Sequence, residues 1–97
     1  MPTYVLLLNW TQQGIQNIKD SPSRLDQARQ AVQAAGGEMS DFYMTLGQYD
    51  MVGIVKAPDD AAFAKVMLAI ASHGGVRSQT LRAFTEDEYR EIVGGLA

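Results

Sequence analysis

The chain contains no cysteine, and it has one histidine and one tryptophan among its 97 residues. The lack of thiols excludes disulfide bonds, thiolate nucleophiles and cysteine-based metal sites. A single imidazole, that of His73, argues against a metal site of nitrogen ligands as well. Any general base working at neutral pH would have to be His73 or a carboxylate with a shifted pKa. We therefore expect no metal and no cofactor.

Clusters of basic residues and long apolar runs are also absent. Eight Lys and Arg residues against eleven Asp and Glu residues give a net charge of −3, which argues against a nucleic-acid-binding surface. The longest apolar run, residues 4–8, is too short to span a bilayer, and no signal-peptide pattern precedes it. These absences predict a cytoplasmic protein with neither nucleic acid nor membrane among its partners.

The residues that are present are those of an ordinary globular protein. Hydrophobic residues make up 46% of the chain and charged residues 20%, which is typical of folded domains. A length of 97 residues predicts one domain, residues 1–97, with a single core.

Four segments have the residue pattern of β-strands: residues 3–10, 38–46, 51–56 and 76–84. The first and third are apolar on both faces, which predicts that they lie in the middle of a sheet. In the second, Phe42 and Met44 alternate with Asp41 and Tyr43. This half-polar pattern, and the polar fourth segment, are typical of edge strands.

Helical patterns separate these strands. A short irregular helical turn is expected over residues 11–19, and a helix begins after it with Ser21 as its N-cap and Pro22 at its first position. A second helix is predicted over residues 60–72. The last helix, residues 86–93, begins with a capping box formed by Thr85 and Glu88.

The order β-α-β-β-α-β followed by a helix predicts an α+β fold of the ferredoxin-like kind, with an antiparallel four-stranded sheet. Two helices can cover only one face of that sheet. The other face of the first and third strands would remain an exposed apolar patch, which monomers rarely tolerate. The sequence therefore predicts a homodimer or a higher homo-oligomer related by two-fold symmetry.

Residues 47–50 read Gly-Gln-Tyr-Asp, and at this point the chain resembles the GYD family, small proteins of the dimeric α+β-barrel superfamily. Similar runs occur at residues 9–14, 20–24, 41–50, 57–60 and 76–84, so the resemblance covers nearly the whole chain. It implies pairing as a dimeric α+β barrel, in a family that is largely without an assigned activity.

A looser resemblance runs from Tyr43 to Thr80. The effector domain of Lrp/AsnC-type regulators is similar at six positions: Gly47, Tyr49, Asp50, Gly75, Val76 and Thr80. In that family amino-acid effectors bind at subunit interfaces. The helix-turn-helix domain of those regulators has no counterpart here, so the resemblance implies no DNA binding.

These patterns predict a small-molecule site at or near the subunit interface, lined by Asn9, Trp10, Tyr43, Thr45, Tyr49, Asp50, Arg77 and Thr80. Asp50 either accepts hydrogen bonds from the amine of a ligand or bonds to neighbouring backbone and shapes the turn. Arg77 either binds an anionic ligand or is a solvated charge on an edge strand. Its spacing from Thr80 places the two on opposite faces.

Two other functions stay open from the sequence. The superfamily includes monooxygenases that work with haem or without a cofactor, and the place of His73 after the second helix resembles that of the haem ligand in haem-degrading members. The other alternative is a structural or interaction module without a ligand.

Overall fold

A computed structural model describes all of residues 1–97. The elements in chain order are β1 (Thr3–Trp10), α1 (Gln12–Gln16), a 3-10 turn (Ile18–Asp20), α2 (Ser21–Ala34), β2 (Glu38–Met44), β3 (Met51–Lys56), α3 (Asp60–Ala71), β4 (Val76–Ala83) and α4 (Glu86–Gly94). The strands form one antiparallel sheet in the order β2-β3-β1-β4. The two strands predicted to be central are central, and the ferredoxin-like α+β fold is confirmed.

One face of the sheet packs against α2 and α3 and forms the core. Tyr4 and Leu6 of β1 are each 3% exposed, and Val55 of β3 is 1% exposed. The ring of Tyr4 stacks on that of Phe63, with 3.9 Å between ring centroids. Full burial of such a side chain contributes about 1.5–3 kcal/mol, so this face supplies most of the hydrophobic stabilisation. None of the helices combines the length and hydropathy needed to cross a membrane.

The opposite face, which we call the open face, is only partly covered. Alternate residues of the central strands point toward it, and Val5 lies between Ile54 on β3 and Leu81 on β4. The apolar members of the open face are half-buried or exposed in this chain: Val5, Leu7, Val52, Ile54, Tyr43 and Leu81. The prediction that the first and third strands are apolar on both faces is therefore confirmed.

The start of the last helix follows the predicted pattern. The backbone N–H of Thr85 donates to Glu88 Oε1 at 2.8 Å, and the N–H of Glu88 donates to Thr85 Oγ1 at 3.2 Å. The hydrogen bond from the Thr85 backbone N–H, and then one from the Thr85 side chain, lower the pKa of the Glu88 carboxyl. The capping box is confirmed, and α4 extends one residue beyond the predicted end.

Local predictions were wrong at several element ends, and α3 and β4 each stop one residue before their predicted ends, at Ala71 and Ala83. Ser21 is not the N-cap of α2, because the helix already begins at Ser21 and Asp20 precedes it without a side-chain cap. The Ser21 hydroxyl instead accepts a hydrogen bond from Trp10 Nε1 at 3.3 Å. β2 ends at Met44, since the N–H of Thr45 already bonds the carbonyl of Asp50 across the turn at 2.8 Å.

Tyr4 gives the fold a measurable response to alkaline pH. Burial, and then the hydrogen bond that its hydroxyl donates to Asp60 Oδ1, raise the pKa of Tyr4 from 10.0 to about 12. Because the folded protein favours the neutral phenol, this contribution to stability is complete below pH 10 and is lost as the pH rises toward 12. The melting temperature of the wild type is expected to fall toward that of Tyr4→Phe across this window.

Thermal melts at pH 8, 10 and 12 check this expectation. Tyr89→Phe is the matched control, because it removes the same hydroxyl group from a side chain that is 60% exposed. If the melting temperatures of the wild type and Tyr4→Phe differ by the same amount at pH 8 and at pH 12, the raised pKa of Tyr4 does not contribute to stability.

Candidate functional site

The turn between β2 and β3 is held by hydrogen bonds within residues 45–50. Gly47 has a φ of +125°, which side-chain-bearing residues rarely adopt. The Thr45 hydroxyl donates to the carbonyl of Tyr49 at 2.6 Å. These contacts fix the turn and aim the side chain of Tyr49 toward β4.

Asp50 joins this turn to the end of β1. Its carboxylate oxygen Oδ2 accepts from the backbone N–H of Trp10 at 3.0 Å. Its own N–H donates to the carbonyl of Leu8 at 2.9 Å and to Asn9 Oδ1 at 3.1 Å. Asp50 therefore orients the Asn9 side chain, and one oxygen of its carboxylate is engaged inside the protein.

A polar cavity of about 290 Å³ lies beside this junction, at the β1–β4 end of the open face. The residues that line it are Leu7, Asn9, Gln48, Tyr49, Arg77, Ser78 and Gln79. The Tyr49 hydroxyl donates to Gln79 Oε1 at 2.5 Å. Arg77 is exposed and belongs to neither of the two ion pairs of the structure. The cavity thus offers a free guanidinium and amide groups to a small polar ligand.

The eight residues predicted from the sequence fall into separate groups. Asn9, Tyr49 and Arg77 come together around the polar cavity, and Thr45 and Asp50 support it from the turn. Tyr43 lies on the open face of β2 beside Val52 and is 59% exposed. Trp10 and Thr80 lie on the helix-facing side, Thr80 directly across from Leu6.

Gln79 and Gln48 are lining residues that the sequence prediction did not include. Gln79 is two residues from Arg77 on β4, and strand alternation places both on the open face. That spacing was visible in the sequence and would have identified it. Gln48 lies in the turn, where no such periodic rule applies.

A second, apolar cavity of about 430 Å³ lies on the other side of the sheet, between the strands and the helices. His73 and Trp10 both line it, and His73 is exposed with no hydrogen bond to its imidazole. If each non-hydrogen atom takes the ~30 Å³ of a liquid water molecule, this volume holds on the order of 14 atoms. A haem has far more, so the cavity does not fit one as it stands.

No group of three or more His, Asp or Glu side chains comes close enough to hold a metal ion. The donors at the polar cavity are instead amide, hydroxyl and guanidinium groups. Such groups hold a ligand by hydrogen bonds and charge.

The sequence model of the GYD domain matches residues 4–93. The chain belongs to the GYD family. The GYD chain is also 36% identical, over 84 residues, to a Thermus thermophilus protein named "Glutamine synthetase and cystathionine beta-lyase binding protein"; the match covers 86% of this chain and 88% of that protein.

Solved structures of other proteins share this fold. A crystal structure of a Thermus thermophilus protein is 25% identical, with a TM-score of 0.56, over 88% of this chain and 95% of that chain. A feast or famine regulatory protein from M. tuberculosis, complexed with L-methionine, is 18% identical with a TM-score of 0.64. The match covers 90% of the GYD chain and 54% of the regulator, so it shows the fold alone.

Proposed function

We propose that this GYD protein is a non-catalytic binding protein that self-associates through the open face and holds a small molecule in the polar cavity at the edge of that interface. The observation that carries the proposal is the apolar character of the open face in a single copy. Val5, Leu7, Val52 and Ile54 are only half-buried there. On the helix-facing side of the same strands, Tyr4, Leu6 and Val55 are almost fully buried.

The energetics favour a second copy as the cover. Completing the burial of a half-buried aliphatic side chain contributes about 1 kcal/mol, and a two-fold axis counts each such residue twice. The open face is apolar in its middle, at Val5 and Ile54, and has polar and charged groups such as Arg77 at its ends. A buried apolar centre with a polar rim is the usual anatomy of an interface.

The polar cavity supplies the ligand-binding part of the proposal. Arg77 offers a forked donor for a carboxylate, while Asn9 and Gln79 offer amides that both donate and accept. Amino acids and small aromatic acids fit these groups. The L-methionine bound to the structurally similar regulator makes methionine a sensible first probe.

Thermal-shift measurements with amino acids and small aromatic acids test this proposal. A ligand at 100 times its Kd stabilises by about 2.7 kcal/mol, which raises the melting temperature of a domain this size by roughly 10 °C or more. Arg77→Gln should abolish the shift. Arg29→Gln, which changes an arginine of α2 next to Asp26, should keep it. If no probe stabilises the wild type, or Arg77→Gln responds equally, ligand binding in the polar cavity is refuted.

The Thermus relative supports a second candidate function, the binding of other proteins. Its name records two enzyme partners, and α4 of this chain carries apolar side chains with no cover: Tyr89, Ile92 and Val93 are 60%, 52% and 47% exposed. In this candidate function α4 is the contact surface for a partner enzyme.

Gel filtration of the protein mixed with purified glutamine synthetase and cystathionine β-lyase tests this second candidate. Wild-type protein is expected to co-elute with an enzyme, and Ile92→Asp is expected to elute apart from it. Arg90→Gln is the matched control, since it alters α4 outside its apolar side and removes only the exposed ion pair with Glu86. Separate elution of the wild type from both enzymes argues against these partners.

A further inference from the structure

The apolar cavity on the helix-facing side of the sheet is larger than the polar cavity, and the proposed function does not use it. One wall is the sheet, where Gly53 of β3 presents no side chain and leaves space beside Leu6. The other wall is made by α2 and α3, which contribute Ala28 and Ile70 among others. A volume of about 430 Å³ lies within the range of small-molecule sites.

Methionine side chains give this cavity an adaptable lining. Four of the five methionines of the chain line it: Met39, Met44, Met51 and Met67. Methionine is unbranched and flexible, so it adjusts to ligands of varying shape. Such a lining suits a flexible hydrocarbon chain better than a rigid, directional ligand.

Arg24 supplies the one permanent charge at the rim. No Asp or Glu lines the cavity, and Arg24 takes part in neither ion pair and in none of the side-chain hydrogen bonds of the structure. Its Nη1 atom lies 2.6 Å from the position that a Cβ on Gly75 would occupy. The guanidinium therefore extends from α2 across to the loop after α3, in space that any other residue at position 75 would fill.

Arg24 is partly buried and has no acidic partner, so no ion pair replaces the hydration that its side chain has lost. A ligand carboxylate would satisfy it through two parallel hydrogen bonds. The hydrocarbon part of the same ligand would replace poorly bonded water in the apolar interior. Charge and hydrophobicity thus select for one ligand with an anionic head and an apolar tail.

We infer that the apolar cavity is a binding site for a medium-chain aliphatic carboxylic acid, with its carboxylate on Arg24 and its chain between the sheet and α2. The volume holds on the order of 14 non-hydrogen atoms, which corresponds to an acid of about 10–12 carbons. This site lies on the opposite side of the sheet from the polar cavity. The inference is therefore independent of whether a ligand binds in the polar cavity at the open face.

Isothermal titration of the full chain with decanoate and with 1-decanol, both below the concentrations at which they aggregate, tests the inference. The two probes share a tail and differ in the head group. A charge-assisted pair with Arg24 is expected to make decanoate bind about 10–100-fold more tightly than decanol. Equal affinities in the wild type, or no binding of decanoate, would overturn the inference.

Substitutions test whether decanoate binds in the apolar cavity with its carboxylate on Arg24. Arg24→Gln should weaken decanoate to the level of decanol and leave decanol unchanged, while Arg29→Gln should bind decanoate as the wild type does. Ala28→Leu should weaken both probes, since it fills the cavity from α2. Retention of decanoate selectivity in a folded Arg24→Gln protein would refute the role of this residue. Should Arg24→Gln not fold, the head-group comparison in the wild type and the response of Ala28→Leu still decide the outcome.

Discussion

Val5→Lys is expected to convert the proposed assembly into single, folded copies. Val5 lies in the middle of the open face, between Ile54 and Leu81, with no acidic residue directly across from it. In a single copy the lysine stem can lie along the apolar face with its ammonium in water, so folding survives. Between two copies the ammonium would be buried without a partner, which costs about 3–5 kcal/mol and weakens self-association at least ~100-fold.

Sedimentation velocity over a range of protein concentrations checks this result. Leu68→Lys provides the control, because it adds the same charge on the outer side of α3 at a residue that is 72% exposed. Leu68→Lys should sediment like the wild type, and Val5→Lys should sediment as a single copy. Wild-type protein that stays monomeric at every concentration, or Val5→Lys that still associates, contradicts assembly through the open face.

Gly14→Ala is expected to destabilise the protein, although alanine is favoured over glycine in a helix by about 1 kcal/mol. A Cβ at position 14 would lie 2.0 Å from the carbonyl oxygen of Gly75. That carbonyl is held in place, because it accepts from the N–H of Thr11 at 3.1 Å and the Thr11 hydroxyl donates to the carbonyl of Gly74 at 2.6 Å. Relief of the clash requires these backbones to separate.

The expected loss is about 2–4 kcal/mol, from overpacking together with weakened hydrogen bonds. For a domain of this size that corresponds to a fall in melting temperature of roughly 10–20 °C, which calorimetry or circular dichroism measures. Gly94→Ala is the matched control: a Cβ at Gly94 of α4 meets nothing within 4 Å, so its melting temperature should change little. A Gly14→Ala protein as stable as the wild type would show that α1 and the loop after α3 move apart freely.

Most of the fold could be predicted because its signals are local. The two-sided hydrophobicity of β1 and β3 placed them at the centre of the sheet, and the residues of the Thr85–Glu88 capping box lie three positions apart. The N-cap prediction at Ser21 was wrong because a non-local contact determines the role of this residue. The Ser21 hydroxyl bonds Trp10 Nε1, eleven residues away, and no local pattern reports such a contact.

The candidate site could be predicted only in part. Strand alternation explains which of the predicted residues lie on the same face of the sheet and which do not. The separation of Arg77 from Thr80 followed from their odd spacing, and the sheet register agrees. The same rule separates Asn9 from Trp10, which the predicted site had grouped together. The apolar cavity was not predicted, because its volume depends on the distance between the sheet and the helices and on the missing side chain of Gly53. Sequence periodicity measures neither.

One strand lines both cavities. Leu6 and Leu8 of β1 point into the apolar cavity, while Leu7 and Asn9 point into the polar one. A shift of β1 by one residue in its register would therefore exchange these two sets, bringing an amide into the apolar cavity and a leucine to the guanidinium of Arg77. Substitutions can alter each cavity separately, but a change of register alters both at once.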